Sequence, residues 1–338
     1  MARLQKRADG RYQRSITDKN GKRIYFYGTS EREINQKILD YQQKQEKGVY
    51  FQDVADEWWT DVKENLAYQT IRGYTSSYER ALSEFSGTRI RDIHPKDIQL
   101  MFKKMAAQQY AQKTIANQRI VLNQIFNLAL VNGEIQYNPC TAITIPRGCK
   151  KTVREAASTS DEEKIIQSDH EWIFPLFALL TGLRKGEILA LQWDDINFEQ
   201  NTITVNKSIE YKGNVPCVKP PKTDSGIRVV PLLQILSNRL KRGDKGYVFS
   251  EDGGKNPYRK KRYDLLWRDY CRDVGINCTA HQLRHSYATI AVEEGVAPKD
   301  LQNAMGHADI TTTMNVYAEA RKKSVDKVAD ILNQKYKK

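Results

Sequence analysis

The 338-residue chain reads as mainly α with small β-sheets, an α+β protein. Three observations carry that expectation. Apolar residues recur at three- and four-residue spacing from Tyr50 to about Ile145, the period of an amphipathic helix. Period-two alternation occurs only near the N-terminus and between about residues 202 and 230, which confines the strands to two places. Breakers such as His94-Pro95, Asn132-Gly133 and Asn138-Pro139 cut the helical stretches into separate elements.

At this length there is room for two or three domains, each able to bury a core without staples. Five cysteines, Cys140, Cys149, Cys217, Cys271 and Cys278, form an odd set with no Cys-x-x-Cys pair. That argues against a disulfide framework and a zinc knuckle, and fits a reducing cytoplasm. The longest apolar run, Trp172 to Leu180, is too short to span a bilayer, and the basic N-terminus has no apolar signal-peptide core. A soluble, unsecreted protein is expected. Fifty-four Lys and Arg against 41 Asp and Glu leave a net charge of +13, spread over segments that fold. Such a distribution suits a polyanion partner better than a membrane anchor, although charge alone equally fits a ribosome-associated or merely basic protein.

Residues 1 to 48 carry twelve Lys or Arg against six Asp or Glu, nearly half of the whole excess. Two alternating runs, Arg11 to Ile16 and Arg23 to Tyr27, flank the turn signal Asp18-Lys-Asn-Gly21 and predict a hairpin. Ser30 with Glu33 three residues on marks a helix start, and that helix runs to about Lys47. A three-stranded sheet with one helix results, its basic residues including Arg11, Arg14, Lys22 and Arg23.

From Tyr50 onward four or five helices are expected. Phe51, Val54, Ala55, Trp58 and Trp59 make one apolar stripe. Leu100, Phe102, Met105, Ile115, Ile120, Leu122, Ile125, Phe126, Leu128 and Ala129 make others, all read as core. Lys113, Thr114, Asn117 and Arg119 are either phosphate contacts or a solvated helix face. Residues 148 to 154, polar and basic after Pro146, read as an interdomain linker. Beyond it, Ser160 to Glu163 starts a helix, Trp172 to Leu180 is a buried helix, and Thr202–Val205, Val215–Val218 and Ile227–Val230 make a small sheet. The turn Pro220 to Gly226 lies between two of these strands and presents Lys222 at a hairpin tip.

Residues 279 to 289 concentrate the chemistry. Helical spacing groups His281, Arg284 and His285 into one donor patch suited to an anion. A solvated basic face is the bland alternative, and zinc is disfavoured because Gln282 stands where a helical metallohydrolase needs Glu. Three further segments accompany the stretch: Thr181-Gly-Leu-Arg184-Lys-Gly-Glu187, Lys222-Thr-Asp-Ser-Gly-Ile-Arg228, and Met305-Gly-His307 ten residues before Tyr317. Together these four boxes resemble the catalytic core of the tyrosine recombinases, over about residues 155 to 338. Met305 stands where Leu is common, an exchange that conserves volume. Residues 1 to 48 resemble the arm-binding domain of conjugative-transposon integrases. Tyr68–Tyr74 and Ala111–Arg119 resemble helices of the family's core-binding domain, here residues 49 to 147.

The resemblance implies an enzyme that cuts and rejoins DNA through a 3′-phosphotyrosine, with no metal, cofactor or ATP. Tyr317 would be the nucleophile, Arg184, Arg284, His281 and His307 would hold the phosphate, and Lys222 would be the general acid, with Lys219 its rival. Glu187 would orient the site, with His285 behind the primary ligands. Double-stranded DNA at core and arm sites is the implied partner, bound by a clamp of the two basic domains on the bacterial nucleoid. A homotetramer is implied too, its protomers exchanging the tail that carries Val325, Val328, Ile331 and Leu332, with accessory DNA-bending or directionality factors. A chromosome-dimer resolvase shares this chemistry but usually lacks an arm domain. A repressor with an idle site is the non-enzymatic alternative.

Overall fold

The computed structural model describes residues 5–7, 10–17, 23–150, 155–221, 224–243 and 245–322. Two compact units, Met1–Thr152 and Val153–Lys338, divide the chain. The predicted turn from Asp18 to Gly21, Lys22, Lys222 and the tail from residue 323 lie outside the described residues. No helix among those described is long and apolar enough to cross a membrane.

The first unit opens with an antiparallel sheet in the order β1 (Gln5–Lys6), β2 (Tyr12–Thr17) and β3 (Arg23–Gly28). Its register pairs Arg14 with Phe26 and Ile16 with Ile24. Side chains alternate across a strand, so Arg14, Ile16, Ile24 and Phe26 share the face that packs on helix α1 (Glu31–Lys47). Phe26 meets Tyr41 edge-on at 5.4 Å, and Ile34 and Ile38 are buried. Gln13, Ser15, Arg23, Tyr25 and Tyr27 fall on the opposite face. Ser30 caps α1 by accepting from the Glu33 amide. The Glu33 carboxylate reaches the amide of Thr29, one residue earlier than a capping box requires.

Four long helices follow: α2 (Phe51–Asn65), α3 (Tyr68–Phe85), α4 (Pro95–Ala107) and α5 (Gln112–Val131). Phe51 lies between Phe85 and Phe126 at the centre of their core. Two residues assigned to that core, Leu100 and Ile120, face outward instead. On α4 the set Ile98, Met101, Phe102 and Met105 already fills the buried stripe, and Leu100 lies about 100° off it. On α5 the fully buried Gln118 takes a core position. It is satisfied there by Arg80 Nε at 3.0 Å and the Ser77 carbonyl at 2.8 Å, as a buried amide must be.

The second unit is helical around two small sheets. Helices α6 (Thr159–Gln167), α7 (Phe174–Thr181) and α8 (Lys185–Ala190) lead into β4 (Ile196–Asn197), β5 (Thr202–Val205), β6 (Ser208–Lys212), β7 (Val215–Lys219) and β8 (Arg228–Pro231). One small sheet was expected, but β4-β5-β8 form one and β6-β7 another. Ser208–Lys212, which alternates with Ile209 and Tyr211 inward and was not read as a strand, pairs with β7. The chain from β7 to β8 therefore runs between two sheets, and the Lys222 position expected at a hairpin tip lies outside the described residues. Helices α9 (Gln234–Arg239), α10 (Lys260–Val274), α11 (Ala280–Glu293), α12 (Pro298–Met305) and α13 (Ile310–Lys322) complete the unit. The mainly helical α+β class read from the sequence is borne out, and α11 packs against both α7 and α13.

Candidate active site

Helix α7 ends at Gly182 with φ +64°, a left-handed residue that reverses the chain and sets Arg184 at the start of α8. A Cβ there would also come within 2.3 Å of the Tyr287 ring on α11, so conformation and space both require glycine. The Glu187 carboxylate accepts from the Arg184 amide at 2.8 Å and from Arg184 Nη1 at 2.8 Å. It also takes a two-pronged bond from Arg228, with Nη1 on Oε1 at 3.1 Å and Nη2 on Oε2 at 2.9 Å. Arg284 Nη1 lies 4.0 Å away. Three guanidiniums thus surround one carboxylate, giving the cluster a net charge of about +2 at neutral pH.

The same arginines hold the end of α12, whose last carbonyls have no partner within the helix. Arg228 Nε donates to the Ala304 carbonyl at 2.7 Å, Arg284 Nη2 to Met305 at 2.6 Å and Arg184 Nη2 to Gly306 at 2.9 Å. Three consecutive carbonyls each receive one arginine, where the negative end of the helix favours cations. Gly306 then turns with φ +62° into His307. His307 Nδ1 lies 2.9 Å from the hydroxyl of Thr313, which is fully buried on α13. Tyr317 follows one turn later, buried, its hydroxyl donating to the Val296 carbonyl.

Burial pushes the Glu187 carboxyl up, but the hydrogen bonds and charge of Arg228 and the contacts of Arg184 outweigh it and bring the pKa down to about 2. Burial and then the Arg184 charge lower Arg284 to about 9, so it stays cationic at neutral pH. Burial and then Arg284 and Arg184 lower His307 to about 4, so its ring is neutral there.

Arg184, Glu187, Arg284 and His307 are brought together as the boxes suggested. Arg284, expected to share an open patch with His281 and His285, is instead buried, with Nη1 on the Gly182 carbonyl at 2.7 Å. The two histidines face outward and meet each other, Nε2 to Nε2, at 3.3 Å. In the first unit Arg14 turns from solvent to Glu31 and Asn35 on α1, whereas Arg11 and Arg23 are exposed. Lys113, Thr114 and Asn117 share one side of α5, and Arg119 lies more than 100° around from them, near Cys140. Arg228, Thr313 and the exposed Tyr25 and Tyr27 were given no role from the sequence. Strand alternation from Val230 and helical spacing from Tyr317 were the available signals.

Residues 151–324 match the phage integrase family and residues 51–145 match the phage integrase central domain. The chain belongs to the phage integrase family. Among relatives, a tyrosine recombinase XerC-like protein of Caldanaerobacter subterraneus subsp. tengcongensis is 29% identical, covering 94% of this chain and 93% of its own. The transposase from transposon Tn916 of Enterococcus faecalis is 26% identical, covering 93% and 90%. The structure of the Tn1549 transposon integrase in complex with transposon right end DNA superposes with a TM-score of 0.66 at 21% identity. It spans 82% of this integrase-family chain and 99% of that one, and shares its fold. The tyrosine recombinase resemblance read from the four boxes is thereby borne out.

Proposed function

We propose that the protein is a site-specific DNA recombinase of the tyrosine class, the integrase of a mobile element, cutting and rejoining strands through a 3′-phosphotyrosine. The observation that carries this reading is the cluster of Arg184, Arg284 and Arg228 on the single buried carboxylate of Glu187, in which Arg284 and Arg228 are buried and Arg184 reaches the surface. An excess of buried positive charge is an unfavourable arrangement, and an incoming phosphate diester relieves it. Arg184, with 45% of its side chain exposed, can offer the phosphate a planar fork. Arg284 supplies charge from beneath. When the Thr313 hydroxyl donates to Nδ1, the neutral His307 ring carries its proton on Nε2 and can donate that to a phosphate oxygen. Donors fixed in this way act most strongly as charge builds on the phosphorane.

Tyr317, its phenolic proton passing to solvent, would attack the phosphorus, forming the phosphotyrosine bond as the P–O5′ bond breaks and the 5′ oxygen leaves with a proton from Lys222. The high-energy link is conserved, so rejoining needs no ATP. Attack requires the Tyr317 hydroxyl to give up its bond to the Val296 carbonyl, which makes a shift of α13 part of activation. His281, on the open face of α11, is assigned a further phosphate contact, with His285 orienting it. Residues 1 to 48 are assigned to arm sites, 49 to 147 to the core site, 148 to 154 to the linker and 155 to 338 to catalysis. Assembly as a tetramer on paired sites and aid from accessory DNA-bending factors complete the proposal.

Resolution of chromosome dimers is the second reading, supported by the XerC-like relative. The sheet of residues 5 to 28 with its exposed Tyr25 and Tyr27 favours the integrase. A nicked suicide duplex bearing the element's own end is the test: the wild-type protein should become covalently attached, and Tyr317→Phe should bind equally well without attaching. Attachment by Tyr317→Phe would assign the nucleophile to another residue.

A further inference from the structure

Arg228 is not needed as a phosphate ligand in the reading above, yet it is the most fully engaged guanidinium of the three. Its side chain is 6% exposed. It binds both oxygens of Glu187, the Ala304 carbonyl, and the Gly226 carbonyl at 3.2 Å. The bond to Glu187 is of the parallel, bidentate kind that holds a carboxylate most firmly. Apart from the local bond to Gly226, these contacts run from β8 to α8 and α12, and the turn into His307 lies hard against it. A Cβ added at Gly306 would stand 2.9 Å from Arg228 Nη1.

The consequence concerns competition. Glu187 is buried and ionised, and a buried carboxylate keeps whatever cations it can reach. Arg184 already touches it at 2.8 Å and Arg284 approaches to 4.0 Å. These are the two groups assigned to the phosphate. Were Arg228 absent, Glu187 would draw on them alone, and carboxylate and phosphate would compete for the same donors. The Ala304 carbonyl would lose its partner as well, releasing one of the three ties that fix the turn before His307.

We propose that Arg228 is a positioning residue for strand cleavage: by occupying Glu187 and the Ala304 carbonyl together, it leaves Arg184 and Arg284 available to the scissile phosphate and holds the turn that presents His307. The proposal rests on the recombinase reading. It assigns a role in the reaction to a residue that touches neither phosphate nor nucleophile.

The experiment measures single-turnover covalent attachment to a nicked suicide duplex bearing the element's end, at saturating protein, with gel-shift affinity and thermal melting in parallel. Arg228→Gln should slow attachment about 100-fold, the scale of losing an electrostatic donor, with little change in duplex affinity. Adding Glu187→Gln to that variant removes the competing carboxylate and should restore about tenfold of the rate. A purely structural Arg228 would leave the double variant as slow as the single one or slower. Arg228→Lys keeps the charge but cannot span Glu187 and Ala304, and should be slowed about tenfold and relieved in the same way. It decides the matter should Arg228→Gln fail to fold. Single variants within about threefold of wild type, or double variants no faster than the singles, would overturn the proposal. Failure of the recombinase reading looks different, because the wild-type protein itself would then form no adduct.

Discussion

Glu187 provides a quantitative check on the arginine cluster that requires no DNA. Its carboxyl lies at about 2 against an ordinary value of 4.5, with 5% of the side chain exposed, so solvent screening takes little from the effect. Because the folded pKa is the lower one, the unfolded chain binds the extra proton between these two values. Stability from ionised Glu187 is therefore fully present above about pH 4.5 and is lost as pH falls toward 2, with a total on the order of 3 kcal/mol. Comparing wild type with Glu187→Gln isolates this contribution, since the other carboxylates titrate alike in both. Neutral glutamine also leaves the arginines poorly paired, a cost independent of pH. At pH 7 wild type should be the more stable, and at pH 3.5 the gap should have narrowed by about 1.4 kcal/mol. Two units need not unfold together, so urea transitions are best followed by hydrogen exchange of peptides from α7 and α8, which report on the second unit alone. A gap that stays constant from pH 7 to 3.5 would mean that Glu187 is not held ionised by the arginines, and the charge count behind the phosphate site would fail with it.

Other expectations are simpler. Lys222→Ala should slow cleavage far more than it weakens binding, and a substrate with a 5′-bridging sulfur, whose leaving group needs no proton, should restore the rate; absence of rescue removes Lys222 from the acid role. Thr313→Val, nearly isosteric, should leave affinity unchanged but slow attachment about tenfold or more by releasing His307, with Thr313→Ser recovering most of it. Equal rates for Val and Ser would limit Thr313 to packing. On the sheet, Tyr25→Ala should weaken binding to the element's arm sites by about 1 to 3 kcal/mol. Arg14→Ala should instead lower the melting temperature without changing the salt dependence of binding, because Arg14 is engaged by Glu31 and Asn35 and neutralises no phosphate. A shallower salt slope for Arg14→Ala would reverse that assignment.

The helical stretches were legible because a buried stripe leaves a period in the sequence, as Phe51, Val54, Ala55 and Trp58 show. Which of two plausible stripes is buried is less visible: Leu100 and Ile120 were misplaced because each stands within two residues of a true core position. Sheet partners were not legible either, since β8 pairs with β5 and not with its sequence neighbour β7. Pairing across 25 residues is a tertiary fact with no local signal. At the site, the resemblance of the four boxes to the tyrosine recombinases pointed to Arg184, Glu187, Arg284 and His307, residue types that suit a phosphate. Their partners were hidden. Nothing in the spacing of Arg228 and Ala304 announces a hydrogen bond, and a single Thr six residues after His307 looks like any helix threonine. The fold supplies a common anchor: the three carbonyls at the end of α12 receive Arg228, Arg284 and Arg184 in turn. A phosphate that draws Arg184 outward must loosen its hold on Gly306, the residue before His307, and His307 is in turn bonded to the helix of Tyr317. On the proposed mechanism, binding at the arginines and release of Tyr317 from Val296 would thus be linked through these hydrogen bonds and the backbone between them, giving the buried Tyr317 a physical route to exposure.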